Sequence, residues 1–170
     1  CIIPRMTVNW KTLAATLLCA VLGLLLWVRG IAPAVSTIDT DFPNYLTAAR
    51  IVVDGGPAAR LYDDAWFQER MRDYGIGDPR AGKFAPFPPP TALLMVPLAR
   101  LQPLDALRVM TGISLLCLAS SIILLSRLLR WSLAEAAALV LLSGYAVYNV
   151  LRFGQPYVLV STSCILGYFA

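Results

Sequence analysis

The sequence contains no histidine, only four cysteines, and few charged residues, which make up 14% of the chain. Without histidine, the chain lacks the commonest general base and the commonest metal ligand. The cysteines show neither the paired spacing of a disulfide framework nor a zinc-binding pattern. Cys19, Cys117 and Cys164 fall within apolar runs, where cysteine behaves as a small hydrophobic residue. Any histidine that a mechanism needs would have to lie outside this chain.

Long apolar runs occupy most of the sequence instead. Hydrophobic residues make up 58% of the chain and its mean hydropathy is +0.68, whereas soluble domains contain roughly 45–50% apolar residues. The sequence therefore predicts an all-α, multi-pass integral membrane protein. The formal net charge of +4 is spread thinly and does not favour nucleic acid as a partner. The basic residues are expected to set the orientation in the membrane.

The first apolar run, residues 12–28, lies between Lys11 and Arg29. It is close to the lower limit of about 17 residues for a helix that spans a bilayer. A cleaved signal peptide is the alternative, because "APA" at 32–34 resembles a cleavage site. We favour a retained anchor, since the run is long for a signal peptide and Arg29 lies close to the cut. The later apolar segments are 109–126, 132–151 and, as a partial span, 156–170.

The polar section between the first two spans, residues 39–104, holds most of the acids. Apolar residues recur at helical spacing from Phe42 to Val53, which predicts an amphipathic helix that begins at Asp41 and ends at Gly55 or Gly56. Its other side carries Asn44, Thr47 and Arg50. A second short helix is predicted over 64–74. Both are expected to lie on the membrane surface or to pack onto the spans.

Residues 91–104 are apolar but are interrupted by Pro97 and Arg100. A helix of this length reaches about 21 Å, which is too short to cross a bilayer, so we expect a re-entrant or interfacial helix. Arg127 and Arg130 then share the cytoplasmic side with Lys11, and residues 39–104 form an outer loop. In the alternative, residues 91–104 cross as part of a hairpin and place those arginines outside. Glu135, inside the third span, is close enough to its cytoplasmic end to reach water.

Both ends of the sequence indicate a fragment. The chain begins with Cys1, with a candidate start at Met6, and it remains apolar to the last residue. We therefore expect residues 1–170 to form a single membrane domain that is the N-terminal part of a longer protein.

Three segments, taken in order, resemble a known family. They are "DFPNYLTAARIVVDGGPAARLYDD", "FPPPTALLMVPLARL" and "GQPYVLV". Their order and spacing resemble glycosyltransferase family 87, whose members are polytopic membrane enzymes of the GT-C fold. The resemblance covers about 39–160. Two positions depart from the family pattern, which tends to have a tyrosine at Phe87 and an asparagine after Gly-Gln, where this chain has Pro156.

The resemblance implies an inverting glycosyltransferase of the cell membrane that needs no cofactor. It would move a sugar, with mannose favoured, from a polyprenyl-phosphate donor to a glycolipid or glycan acceptor outside the cytoplasm. Its lipid-phosphate leaving group needs no general acid, whereas the acceptor hydroxyl must lose a proton to a base. The family places the catalytic acid just after the first span, where Asp41 lies, and Asp39 is the reserve candidate. The alternative role of Asp41 is that of a helix cap.

Three further residues are candidates for substrate binding. Arg50 could meet the donor phosphate or face lipid headgroups. Tyr45 could pack on a sugar or a prenyl chain, or belong to an aromatic belt at the interface, as could Tyr62. Gln155, which the same topology places on the outer side near Asp41, could donate a hydrogen bond to a sugar hydroxyl, or satisfy backbone groups where its span begins.

No metal site is predicted. The triplet "DTD" at 39–41 could hold Mg²⁺ in principle, but a lipid-phosphate donor lacks the diphosphate that usually recruits the ion. A different class of function is a non-enzymatic transporter or assembly partner for lipid-linked glycans. Such a protein would place its essential polar groups near the middle of the membrane, where this sequence carries almost no charge.

Overall fold

A computed structural model describes residues 10–38, 41–78, 80 and 82–169. Every regular element in these residues is helical. The α-helices are α1 (Trp10–Leu26), α2 (Ala32–Ser36), α3 (Asp41–Val53), α4 (Asp64–Asp73), α5 (Pro90–Met95), α6 (Pro103–Leu129), α7 (Leu133–Leu141), α8 (Tyr145–Arg152) and α9 (Tyr157–Phe169). The all-α membrane fold predicted from the sequence is thereby confirmed.

The helices form two packed regions. We call the first, residues 41–102 with α3, α4 and α5, the cap, and the second, with α1, α2 and α6–α9, the bundle. The core of the cap surrounds α3 and includes the first two turns of α6. The bundle has its own core, built around Leu118, Leu151 and Val158. Large apolar side chains remain exposed along α1 and α6, among them Leu17, Leu24 and Leu116, as expected for helices that face lipid.

α3 is the central helix of the cap. It begins at Asp41, tolerates Pro43 in its first turn, and ends before Gly55, whose φ of +70° suits a helix C-terminus. The predicted helix is confirmed, but its predicted polar side is not solvent-exposed. Asn44 and Thr47 are as buried as the apolar face, because α4, α5 and the segment before α5 enclose α3. The second predicted helix is confirmed as α4.

The segment predicted as a re-entrant helix is broken into short pieces. α5 is followed by a single 3-10 turn, Val96–Leu98, and the chain then turns into α6. Six residues of α-helix extend about 9 Å, so this segment is far too short to cross a bilayer. α6 begins well before the predicted start at residue 109, with Pro103 in its first turn. Its 27 residues extend about 40 Å.

The first predicted span continues beyond its expected end. α1 is followed by a π-helical turn, Trp27–Ile31, and then by α2. Ala34, in the sequence that resembles a cleavage site, is fully buried. Arg108 of α6 donates a hydrogen bond from Nε to Val35 O at 3.1 Å. This packing supports a retained helix over a cleaved peptide.

The third predicted span is two helices, not one. α7 and α8 meet at an angle of 78°, and Gly144 between them has φ +52° and ψ −110°, which side chains disfavour. Ser132 and Glu135 form a capping box at the start of α7, so Glu135 has a structural role there. By length and composition, two helical stretches could cross a membrane, one beginning with α1 and the other formed by α6, or three if α7 and α8 cross together.

Three basic residues lie at one end of the bundle. Cys19 Sγ donates to Ala134 O at 3.1 Å, and the charge of Lys11 acts on Glu135, so the start of α1 lies beside the start of α7. Arg127 and Arg130 end α6 at this same end. The cap lies at the opposite end, where α6 begins and α8 passes into α9.

Candidate active site

Asp41 and Gln155 meet where the cap joins the bundle. Asp41 is the first residue of α3, and Gln155 precedes α9. Gln155 Nε2 donates a hydrogen bond to Asp41 Oδ2 at 2.5 Å, and both side chains are half-buried. Sequence analysis selected both residues, but for separate roles. The structure brings them together across most of the length of the chain.

A glycine turn sets the position of Gln155. Gly154 has φ +61°, and a Cβ atom there would lie 2.5 Å from Phe42 Cδ2 and 2.8 Å from Leu107 Cδ1. The backbone N–H of Gln155 donates to Val150 O at 2.9 Å, which closes the end of α8. Only glycine allows this backbone conformation and this close approach to α3 and α6 without strain. The turn therefore directs Gln155 toward Asp41.

A polar cleft of about 520 Å³ opens beside Asp41. It contains two acidic and two basic side chains, Asp41 and Asp64 against Arg80 and Lys83, so its formal charge is balanced. Its other lining residues are Asn44, Gln68, Gly82, Pro86 and Phe87. Such a cleft can hold a polar ligand next to a carboxylate that accepts a proton.

An apolar groove of about 320 Å³ lies next to the polar cleft. Phe87 lines both, and its ring packs edge-on against Tyr45 at a centroid distance of 4.6 Å. The remaining groove residues are Pro88, Pro90, Thr91, Leu94, Pro156, Tyr157 and Val160. The groove therefore runs between α5 and α9.

Tyr45 forms the buried wall between Asp41 and the groove. Its side chain is 1% exposed, and its hydroxyl makes no hydrogen bond of normal geometry with a described residue. Burial, reinforced by the negative charge of Asp41 and by Tyr157, raises the pKa of Tyr45. The phenol therefore stays protonated at neutral pH, and its ring forms part of the groove lining.

Arg50 is directed away from the polar cleft. Its Nε donates to Ala99 O at 2.9 Å, its Nη1 to Tyr74 O at 3.1 Å, and its Nη2 to Leu101 O at 2.9 Å. The guanidinium thus joins α3 to the turns after α4 and before α6. Nothing in this arrangement supports the predicted contact with a phosphate. Tyr62, the other aromatic candidate, donates a hydrogen bond to Phe87 O at 3.2 Å.

Two site predictions cannot be placed. Asp39, the reserve base, and the "DTD" triplet to which it belongs fall on residues outside the described part of the chain. Among the residues that the structure describes, no group of three or more acids or cysteines could hold a metal ion. The absence of a metal requirement therefore stays a prediction.

Sequence analysis missed the basic side of the cleft. Lys83 and Arg80 lie in a loop without periodicity, and Asp64 was interpreted only as the start of a helix. Gly82 and Lys83 are held by two side chains: Asn44 Oδ1 accepts from the N–H of Lys83 at 3.0 Å, and Gln68 donates to Gly82 O at 3.1 Å. The one sequence feature that could have indicated a role for Lys83 is its position directly before the proline-rich segment.

Comparison with known proteins identifies a family. The model of glycosyltransferase family 87 matches residues 84–170, just over half of the chain. The match includes Gln155, and Asp41 lies before it. Neither the search of curated proteins nor that of solved structures found a match. The matched range and the apolar helices together show a membrane glycosyltransferase: the chain belongs to glycosyltransferase family 87.

Proposed function

We propose that this multi-pass protein of the cell membrane transfers a sugar from a polyprenyl-phosphate donor to a hydroxyl of a glycolipid or glycan acceptor outside the cytoplasm. Asp41 is the general base. The observation that carries this proposal is the pairing of Asp41 with Gln155 at the edge of a cleft large enough for a sugar. Mannose is the sugar that the family resemblance favours.

The reaction is a single displacement at the anomeric carbon of the donor sugar. The acceptor oxygen attacks this carbon from the face opposite the phosphate, and the carbon–oxygen bond to the phosphate breaks, so the configuration inverts. The proton of the acceptor passes to the Asp41 carboxylate, and the electron pair leaves with the polyprenyl phosphate. No general acid is needed, because the phosphate leaves as a stable anion. A positioned base contributes about 10²–10⁴-fold.

The candidate substrate residues take different parts in this proposal. Gln155 holds the Asp41 carboxylate toward the cleft, since one of its amide hydrogens already binds that group. Its second N–H and its carbonyl make no hydrogen bond with the described residues, and a sugar hydroxyl could bind them. Tyr45 forms the aromatic wall beside the donor, and Arg50 stabilises the cap that presents Asp41.

A transporter or assembly protein is disfavoured by two observations. The matched family is a glycosyltransferase family, and the charged residues that converge on a cleft do so in the cap, not in the middle of the bundle. An enzyme needs its carboxylate at the surface where the acceptor arrives.

The donor class is tested with membranes that contain the full-length protein. We expect transfer from a radiolabelled polyprenyl-phosphate mannose and none from a nucleotide-linked mannose. Transfer should continue in excess chelator, because the leaving phosphate carries no diphosphate that recruits a metal ion. Membranes without the protein are the control. Transfer from the nucleotide sugar alone, or complete loss with chelator, would contradict the proposal.

A further inference from the structure

The polar cleft and the apolar groove meet at one side chain, Phe87. The polar cleft is also lined by Asp41, Lys83 and Arg80, whereas the groove has almost no polar surface. The groove is open at its mouth, where Leu94 is 45% exposed, Tyr157 52% and Val160 55%. Two adjoining spaces of opposite polarity match a ligand with a charged end and an apolar chain.

The backbone of Gly82 and Lys83 is held in place. It is tied to α3 through Asn44 and to α4 through Gln68. Directly after Lys83, the ring of Phe84 is fully buried, and it packs against Phe67 and Phe87. The packing of Phe84 against Phe67 therefore holds Lys83 at the polar cleft, and the packing of Phe84 against Phe87 holds Phe87 at the boundary of the cleft. Such placement lowers the entropy lost when a ligand binds.

We propose that the polar cleft and the apolar groove form one site for a prenyl-linked phosphate, which binds its phosphate at Lys83 and Arg80 and its chain along the groove past Phe87. This inference rests on the proposed function, and it assigns the donor's leaving group to named residues.

The charge balance of the cleft explains why the cations are needed. Asp41 and Asp64 lie in the same cleft, so without Lys83 and Arg80 an incoming phosphate would meet only negative charge. The donor is a phosphodiester with a single negative charge, whereas the leaving phosphate is a monoester that carries about −1.5 to −2. A cation beside it therefore stabilises charge that develops during transfer.

Three probes separate the two ends of the site. Farnesyl phosphate carries both a chain and a phosphate, farnesol carries the chain alone, and inorganic phosphate carries the head alone. Their binding to the full chain is measured by calorimetry in one detergent at fixed concentration. We expect farnesyl phosphate to bind tighter than either part, because it uses both spaces.

Two variants, each with a matched control, test the assignment. Lys83→Gln should weaken farnesyl phosphate about 10-fold, the scale of one charge-assisted hydrogen bond, and leave farnesol unchanged. Its control is Arg72→Gln, an exposed cation that does not line the cleft.

Leu94→Ser should weaken the binding of farnesyl phosphate and of farnesol about 3–10-fold and leave the binding of inorganic phosphate unchanged. Leu93→Ser is its control, because Leu93 is 61% exposed and lies outside the groove.

Binding is read without transfer, so this test is independent of Asp41. Parent-like binding of farnesyl phosphate to both Lys83→Gln and Leu94→Ser would overturn the inference, even if Asp41 proves to be the base. Equal effects of Leu93→Ser and Leu94→Ser would also overturn it, since detergent contacts would then explain the loss. Loss of phosphate binding with Lys83→Gln and of chain binding with Leu94→Ser would support the site even if Asp41→Asn kept its activity.

Discussion

Arg50 and Gln155 both connect separate elements through planar, nitrogen-bearing side chains, and their partners give them different roles. Arg50 donates to three backbone carbonyls, and each such bond satisfies an acceptor that would otherwise be costly to bury. Gln155 donates to a carboxylate. A charge-assisted bond of this kind is roughly twice as strong as a neutral one. We therefore assign Arg50 to stability and Gln155 to the chemistry of Asp41.

Removing the amide of Gln155 tests that assignment. In the full chain, Gln155→Leu keeps most of the side-chain volume but leaves Asp41 without its described partner. We expect kcat to fall about 10-fold, equivalent to about 1.4 kcal/mol, with little change in KM or in the thermal unfolding temperature. If Gln155 only binds a sugar hydroxyl, KM for the donor should rise while kcat stays constant. That outcome would contradict a positioning role.

Short elements connect the site to the rest of the fold, and the turn at Gly154 is the most constrained of them. Gly154→Ala places a Cβ atom against Phe42 and Leu107 in a backbone conformation that disfavours side chains. Strain and overpacking each cost about 1–3 kcal/mol. We expect a clear fall in the unfolding temperature in detergent, and reduced transfer because Gln155 moves.

Gly75→Ala is the matched control for this variant. Gly75 also has a positive φ, +64°, but a Cβ atom there would meet nothing within 4 Å. It should therefore cost only the backbone strain. Equal losses of stability in the two variants would show that contact with Phe42 and Leu107 does not constrain the turn.

Helix boundaries in the cap could be predicted because their signals are local. Asp41 and Pro43 begin α3, and Gly55 ends it. Burial of Asn44 could not be predicted, since it depends on a loop far along the chain. The pairing of Asp41 with Gln155 and the break at Gly144 also depend on contacts between distant segments. The topology predicted from the sequence therefore places Gln155 near Asp41, but it does not indicate that the two side chains touch.

The distribution of charge over the whole molecule indicates its orientation. Lys11, Arg127 and Arg130 lie at one end, and the cap lies at the other. The cap carries basic residues of its own, but it belongs to a long loop, and the positive-inside rule counts short loops and the ends of spans. We therefore predict that the end with Lys11, Arg127 and Arg130 is cytoplasmic. In this orientation the cap and its cleft would face outward, on the side of the proposed acceptor.

Single cysteines in a background without native cysteines test this orientation. We expect cysteines at Asp78 and at Arg152 to react with an impermeant reagent in intact cells, because both positions lie at the cap end. A cysteine at Arg130 should react only after the membrane is opened. Labelling of Arg130 from outside would contradict the orientation and favour the hairpin alternative.

The central claim is that Asp41 is the base of a membrane glycosyltransferase. Asp41→Asn in the full chain keeps the size of the side chain and a hydrogen-bonding partner for Gln155, but removes the proton acceptor. Asp39→Asn is the control, because Asp39 is the rival base. The decisive measurement is the rate of transfer from a radiolabelled polyprenyl-phosphate sugar, in membranes with equal amounts of each variant. We predict a loss of at least about 10²-fold for Asp41→Asn and a much smaller loss for Asp39→Asn; near-normal transfer by Asp41→Asn would contradict the claim.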